Sequence, residues 1–307
     1  MKPLGLLIGM VFLIQTVTGF LANIVLLFHY LSLYFTAYKL RPTDLIAEHL
    51  TIANTLIMLS RGTPQTMQGF GLKYFCQVSR CTLLLYVYRV ARSVSVSTTC
   101  MLSVFQTIKI SPMNSSWKEL KAKLPKNIGL LTCFSWILHI LINCIFLFYD
   151  IIKYTSKNIT ELKDFGYCSC ILRDEIIEIL YTAFVLLPEG LCSGLMIWSS
   201  GSMIFFLHRH KHCMQYIHKT KDFHKTCPET RATHSIFILV CTFISFYTLS
   251  SFFYACIANF RNPSWWLMKT SAFFATCFPT VSPLVLMSCN STAARLWIKL
   301  SGFFRSM

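Results

Sequence analysis

The sequence predicts an all-α membrane protein, a bundle of seven transmembrane helices with its N-terminus outside and its C-terminus in the cytoplasm. Three observations predict it. The chain is 54% hydrophobic and only 13% charged, where soluble domains carry about 25% charged residues. Its apolar residues fall into seven runs long enough to cross a bilayer. Its basic residues gather in alternate connections between those runs. With 26 Phe in 307 residues and a mean hydropathy of +0.55, a water-soluble fold has no way to cover this much apolar surface.

A spanning helix needs about 20 mostly apolar residues to cross about 30 Å of hydrocarbon. The first run, 4–33, holds no charged residue. It is about twice the length of a signal-peptide core, so it reads as a retained helix and not a cleaved leader. The second, 45–70, carries Glu48 and Arg61; the third, 81–108, carries Arg89 and Arg92. The fourth, 128–149, and the sixth, 232–260, are free of charge. The fifth, 176–207, carries Glu178 and Glu189, and the seventh, 265–289, only Lys269. No internal repeat divides the chain, so residues 1–307 form one seven-helix domain with a short cytoplasmic tail at 290–307.

Orientation follows from Lys and Arg in the connections. With the N-terminus outside, the inner segments are 31–43, 109–127, 208–231 and 290–307, and these hold about twice as many basic residues as the outer ones. The same distribution accounts for the net charge of +16. Basic residues in short loops beside apolar spans meet anionic inner-leaflet lipid. They form no soluble basic face of the kind a nucleic acid needs. Of three glycosylation sequons, at Asn114, Asn158 and Asn290, only Asn158 lies outside in this orientation. Most of the 14 cysteines sit inside spans and read as small packing residues. Cys76, Cys81, Cys168 and Cys170 lie at the outer side, where disulfides form. Spacing alone chooses no pairing among them.

Several stretches resemble one receptor family: LRPTDLIAEHLTIANTLIMLSRGTPQTMQGFGLKYF (40–75), YRVARSVSVSTTCMLSVFQTIKISP (88–112), NIT (158–160), DFGYCS (164–169), FFLHRHK (205–211), PETRATHSIFILV (228–240) and FPTVSPLVLMSC (278–289). Their sequence and order are similar to the type-1 vomeronasal (pheromone) receptors, a family of G-protein-coupled receptors. The resemblance implies a small-molecule chemosensory ligand, a heterotrimeric G protein and a place in the cell membrane, with no cofactor and no enzyme activity. Within it the outer bridge is assigned to Cys81 and Cys168, with Cys76 and Cys170 as competitors.

Rhodopsin-like receptors mostly end their third helix with an acidic residue, Arg and an aromatic; here Phe105-Gln106 stands instead, as in the family it resembles. Phe105 has no charge and Gln106 cannot form an ion pair, so an Arg–carboxylate latch to the sixth helix is unavailable. Gln106 still donates and accepts hydrogen bonds. It is expected to bond across the bundle or to the G protein, against the bland alternative that it caps a solvated helix end. Lys109, Arg209 and Lys211 flank the same cytoplasmic opening. Lys118, Lys121, Lys123 and Lys219 join them, though lipid and topology suffice for most. His208, His210 and His212 alternate like metal ligands, but Arg209 and Lys211 between them oppose a cation, so no metal site is expected.

Ligand recognition is placed at the other mouth. Charges inside spans are costly and face the bundle interior or a wet cavity. Arg92 lies about 17 Å along the third helix from Cys81, and Glu189 about 20 Å along the fifth from Ile176. Their depths match, so Glu189 is expected to pair with Arg92 or with Arg89. Arg61, one turn before Pro64, adds a cation. These residues read either as an internal ion-pair network or as a surplus of positive charge facing an anionic or polar ligand group. Lys269, four residues past Trp265, is expected to snorkel to the interface. Pro64, Pro188, Pro279 and Pro283 favour kinks. FPTVSP replaces the Asn-Pro-x-x-Tyr motif usual in seventh helices, which leaves the usual tyrosine switch in doubt. The rivals are a bitter-taste receptor, disfavoured by Cys81, Cys168 and FPTVSP, and a multi-pass transporter, which would show intramembrane His or carboxylate clusters or inverted repeats.

Overall fold

In a computed structural model of the chain, residues 3–36, 41–72, 78–111, 115–155, 162–164, 169–171, 175–217, 228–259 and 264–289 are described. They form seven helical rods and one short hairpin. The first rod is α1 (Pro3–Phe35). The second is built of α2 (Pro42–Ile57), a π-helical turn (Met58–Gly62) and α3 (Thr63–Gly69). Then come α4 (Val78–Ile110), α5 (Ser115–Thr155), α6 (Glu175–Ile217), α7 (Pro228–Asn259) and α8 (Trp265–Cys289). Between α5 and α6, β1 (Leu162–Asp164) pairs antiparallel with β2 (Ser169–Ile171), Lys163 opposite Cys170.

Contacts join α1 to α2, α3 and α8, α8 to α7, α7 to α6 and α2 to α5, with α4 inside against α2, α5, α6 and α7. The central position of α4 explains its composition. A rod surrounded by protein can carry Ser, Thr and Arg where a lipid-facing rod cannot. Gly5–Phe35, Lys121–Ile152 and Trp265–Met287 are, among the described residues, long and apolar enough to cross a membrane; Phe237–Phe253 is a shorter apolar stretch. The α5 rod shows the opposite pattern to α4. Leu130, Phe134, Ile137, Leu141, Ile145 and Phe148 all stand exposed along it, as expected of a lipid-facing surface with no partner helix.

Proline chemistry sets the irregular points. Pro64 has no N–H and its ring crowds the carbonyl one turn earlier. The chain responds just before it with a π turn, in which the Thr63 N–H reaches back to the Met58 carbonyl. The extra residue rotates the following side chains, and Arg61 is held inside the bundle, buried. Pro283 likewise leaves the Pro279 carbonyl without its helical donor. The buried Asn23 of α1 supplies the missing donor, its Nδ2 lying 2.9 Å from that oxygen. A bare carbonyl in apolar surroundings would cost several kcal/mol, roughly, so Asn23 both satisfies the kink and ties α1 to α8.

Two sequence expectations are corrected here. The inner segments 109–127 and 208–231 are not wholly loop. Helix α5 begins at Ser115 and carries Lys118, Lys121, Lys123 and Lys126 on its first turns, and α6 runs on to Ile217. The outer connection 149–176 contains a hairpin, whose β2 strand packs against α4 and α5. The irregularity expected at Pro64 takes the form of the π turn ahead of it. Asn158, Cys168, Cys76 and the tail 290–307 lie outside the described residues, as do the side chains of Arg209, Lys211 and the His208–His212 alternation.

Candidate functional site

Two polar networks meet in the interior, and α4 belongs to both. In the first, Arg92 of α4 faces Glu189 of α6 in a two-pronged ion pair: Nε donates to Oε1 at 2.9 Å and one terminal nitrogen to Oε2 at 3.1 Å. The remaining guanidinium donors reach the Tyr88 hydroxyl at 3.3 Å, Ser250 Oγ at 3.0 Å and Ser251 Oγ at 2.6 Å. Ser251 in turn donates to Glu189 Oε2 at 2.9 Å. All five N–H groups of the arginine therefore have acceptors, the condition under which a buried ion pair is tolerated. The guanidinium also lies over the Tyr247 ring, 5.1 Å from its centroid.

The second network runs from Tyr247 toward the other end. Its hydroxyl donates to Ser95 Oγ at 3.2 Å, Ser95 donates to Asn54 Oδ1 at 3.0 Å, and Asn54 Nδ2 donates to Ser282 Oγ at 2.8 Å. One residue each from α7, α4, α2 and α8 is thus linked in a chain. Below it Phe243, Tyr247 and Phe278 pack together, Phe243 stacked on Tyr247 at 4.3 Å and edge-on to Phe278 at 4.9 Å. Tyr247 is the shared member, over the arginine on one side and bonded to Ser95 on the other.

The open alternative for Glu189 is resolved in favour of Arg92. Arg89 faces Asp150 of α5 instead, at 3.9 Å. Asp150 was not singled out by sequence reasoning, because it stands at the end of the fourth apolar run and reads as a loop residue there. Arg61 is buried with its guanidinium over the Tyr88 ring at 5.3 Å. Lys269 corrects an expectation. It does not reach for the interface but is buried, 6% exposed. Its ammonium donates to Gln65 Oε1 at 2.8 Å and to Gln68 Oε1, and lies over the Phe12 ring at 5.6 Å. Snorkelling needs a lipid-facing position, and the residue instead points into the seam between α1, α3 and α8.

A small, mostly apolar crevice opens between α4, α5 and α6, lined by Val96, Ile142, Phe184 and Pro188 with Ser97, His139, Asn143 and Glu189 among them. Ser97 Oγ meets His139 Nε2 at 3.0 Å and Ser135 Oγ at 2.9 Å. Its volume of about 30 Å³ suits one or two water molecules, not an organic ligand.

At the opposite end of α4, Phe105 belongs to the main apolar core with Leu239, Val240 and Phe243 of α7. Gln106 is 5% exposed. The solvated-cap alternative is therefore wrong: the helix continues to Ile110, and Gln106 is inside it. The next residue, Thr107, donates to the Ser199 carbonyl of α6 at 3.0 Å. Lys109 is exposed. Lys121, grouped by sequence with the docking charges, is instead structural. Its Nζ donates to the Ser111 carbonyl at 2.6 Å just past the end of α4, satisfying a C-terminal carbonyl and favouring the helix dipole. Lys123 pairs with Glu119 at 2.6 Å on an exposed surface, an arrangement that contributes little. Cys81, at the start of α4, is disulfide-bonded.

Six rods packed around a polar α4, with a bridged cysteine at the start of that helix and buried ion pairs in its middle, have the architecture of a seven-helix membrane receptor of the G-protein-coupled class. Comparison with known proteins narrows the class. The sequence pattern of the vomeronasal organ pheromone receptor family matches residues 6–299, and the chain belongs to that family. It is 46% identical to Vomeronasal type-1 receptor 2 of Homo sapiens over 92% of this chain and 72% of the relative. It is also 46% identical to Vomeronasal type-1 receptor 4 of Homo sapiens over 94% of this chain and 95% of the relative. A more distant relative, Olfactory receptor class A-like protein 1 of Danio rerio, is 27% identical over 92% of this chain and 89% of the relative. The protein is thus a chemosensory receptor of the membrane, from a family of receptors and not of enzymes.

Proposed function

We propose that this receptor detects pheromone-like small molecules in the outer half of its helix bundle and activates a heterotrimeric G protein from its cytoplasmic face in the cell membrane. The N-terminus and the β1–β2 hairpin are outside in this reading, and the tail 290–307 is inside. The observation that carries it is the separation of chemistries along α4. Buried Arg92 and half-buried Arg89 lie toward the Cys81 end, and the uncharged pair Phe105-Gln106 lies toward the other. Arg61 and Glu189 complete the charged half. The disulfide of Cys81 is assigned to Cys168, which would hold the hairpin over the mouth, and Asn158 to glycan. Lys109, Arg209 and Lys211 offer cationic contacts to the G protein.

The test is expression with an N-terminal epitope tag and a promiscuous Gα subunit, followed by a screen of volatile and steroid-like ligands. The tag is expected to be reachable on intact cells, and at least one ligand to evoke a saturable calcium response. A tag reached only after permeabilisation overturns the orientation. Full surface expression with no response across the panel overturns the ligand class.

Gln106→Ala gives a narrower check. At equal surface expression it is expected to lower ligand-driven G-protein activation about tenfold, the effect of about 1.4 kcal/mol in one buried hydrogen-bonding group, while ligand affinity changes little. Unchanged coupling would remove Gln106 from the cytoplasmic mechanism.

A further inference from the structure

We propose that Cys100 of α4 and Cys192 of α6 form an oxidation site, at which a small neutral peroxide joins the two thiols in a disulfide and staples these helices together. The bridge stands apart from the receptor reading; its consequence for signalling rests on that reading. Geometry carries the site. Both thiols are free, and they lie in hydrogen-bonding contact with one another across the seam between α4 and α6. Cys144 and Cys277 meet a tyrosine hydroxyl and a glutamine amide instead, at 3.3 Å and 3.4 Å. Two polar ties hold the thiol pair in register. Arg92 bonds Glu189 on one side of it, and Thr107 bonds the Ser199 carbonyl on the other. A disulfide needs its sulfurs about 2.05 Å apart, and thiols already in contact have little distance left to close.

The two thiols differ in access, and the difference assigns their roles. Cys100 is 6% exposed, inside the main apolar core. Cys192 is half-buried and lines the crevice between α4, α5 and α6. Room there for one or two waters suits hydrogen peroxide, which is neutral and of similar size. Cys192 therefore reacts first. Its sulfur bonds one peroxide oxygen, the O–O bond breaks, and the leaving hydroxide takes the thiol proton as water. The Cys100 sulfur then attacks the Cys192 sulfur of the resulting sulfenic acid. The S–O bond breaks, and the hydroxyl leaves with the Cys100 proton as a second water. Two thiols are oxidised, one peroxide is reduced, and no charge is left in the interior. Past the pair, the Ser103 and Ser200 hydroxyls are buried without a partner among the described residues. An orphaned hydroxyl costs free energy, which favours a shift of α4 against α6 that pairs them, and the disulfide opposes that shift.

The test treats purified receptor in nanodiscs with hydrogen peroxide, unfolds it in N-ethylmaleimide to cap remaining thiols, and maps the peptides by mass spectrometry. A peptide pair linked through Cys100 and Cys192 is expected, with a thermal midpoint raised by several degrees as a closed loop predicts. Dithiothreitol is expected to reverse both. Cys100→Ser is expected to stop at a Cys192 sulfenic acid, trapped by dimedone, with no rise in midpoint. Cys192→Ser is expected to leave Cys100 reduced. Full capping of both thiols after peroxide overturns the proposal, as does Cys192 bridged to any other cysteine. In cells, peroxide given before ligand is expected to lower G-protein activation in the parent and not in Cys192→Ser. A bridge formed with activation unchanged overturns the regulatory consequence. The peptide map needs no G protein. Silence of the untreated receptor therefore sinks the receptor reading and leaves the site standing, and absence of the linked peptide sinks the site alone.

Discussion

Glu189→Ala is expected to destabilise the folded receptor by about 3–5 kcal/mol and to strip it from the cell surface. The argument starts from what the substitution leaves behind. Arg92 is buried, 7% exposed, and its Nε and one terminal nitrogen donate to the two Glu189 oxygens. Without the carboxylate, a full positive charge remains in the interior with only Tyr88, Ser250 and Ser251 hydroxyls as acceptors. Ser251 also loses the acceptor for its own proton. A guanidinium does not escape by losing a proton, so the bundle must admit water or part α6 from α4. The double change Arg92→Met with Glu189→Met removes both charges and keeps the volume. It is expected to recover most of the loss, because well-packed apolar residues replace buried ion pairs at little cost. Thermal unfolding of the single and double variants beside the parent, each purified in nanodiscs, measures this. A single mutant within about 0.5 kcal/mol of the parent, the range of an ordinary surface change, would show that the pair contributes nothing to the fold.

That pairing also shows how far the sequence reaches. The seven rods were legible because lipid imposes one rule, about 20 mostly apolar residues per span; among the described residues three helices meet it outright, and the charged runs were readable from their length and flanking loops. Glu189 opposite Arg92 was legible because depth along two helices is simple arithmetic; the choice between Arg92 and Arg89 was not, since it depends on which way each side chain turns. Asp150 was missed because residues at the end of a run look like loop. Lys269 was misjudged for a related reason. Distance from a helix end was readable, but the face it occupies depends on how α8 packs against α1 and α3. The π turn ahead of Pro64 was half legible. Proline announces a disturbance, yet a kink and an inserted residue give the same sequence signal, and only the second turns Arg61 inward. Gln106 was unresolved because the boundary of α4 was set by hydropathy, which cannot see that the helix runs on to Ile110 with Gln106 buried inside it.

Replacing Gly69 with Val is expected to disrupt the receptor nearly as strongly as breaking the ion pair, for a purely steric reason. Here α1 and α3 cross with backbone against backbone. A Cβ placed on Gly9 would lie 2.9 Å from the Gly69 carbonyl carbon, and one on Gly69 would strike the Gly9 Cα. Neither neighbour is a flexible side chain that can swing aside, so the helices must separate. Separation undoes more than their own contact. Phe12 lies three residues beyond Gly9, on the same face of α1, and its ring covers the Lys269 ammonium. Thr16, one turn further, bonds Thr66 of α3 at 3.3 Å. Overpacking typically costs about 1–3 kcal/mol and more where backbone must move, so Gly69→Val is expected at or above the top of that range and Gly69→Ala within it. Gly190 and Gly194 of α6 give the contrast, since a Cβ at either meets nothing within 4 Å. Alanine there is expected to be neutral or to stabilise by up to about 1 kcal/mol through helix propensity. Thermal midpoints of the four variants in nanodiscs decide the matter: similar midpoints for Gly69→Ala and Gly190→Ala would mean that α1 and α3 do not meet through their glycines.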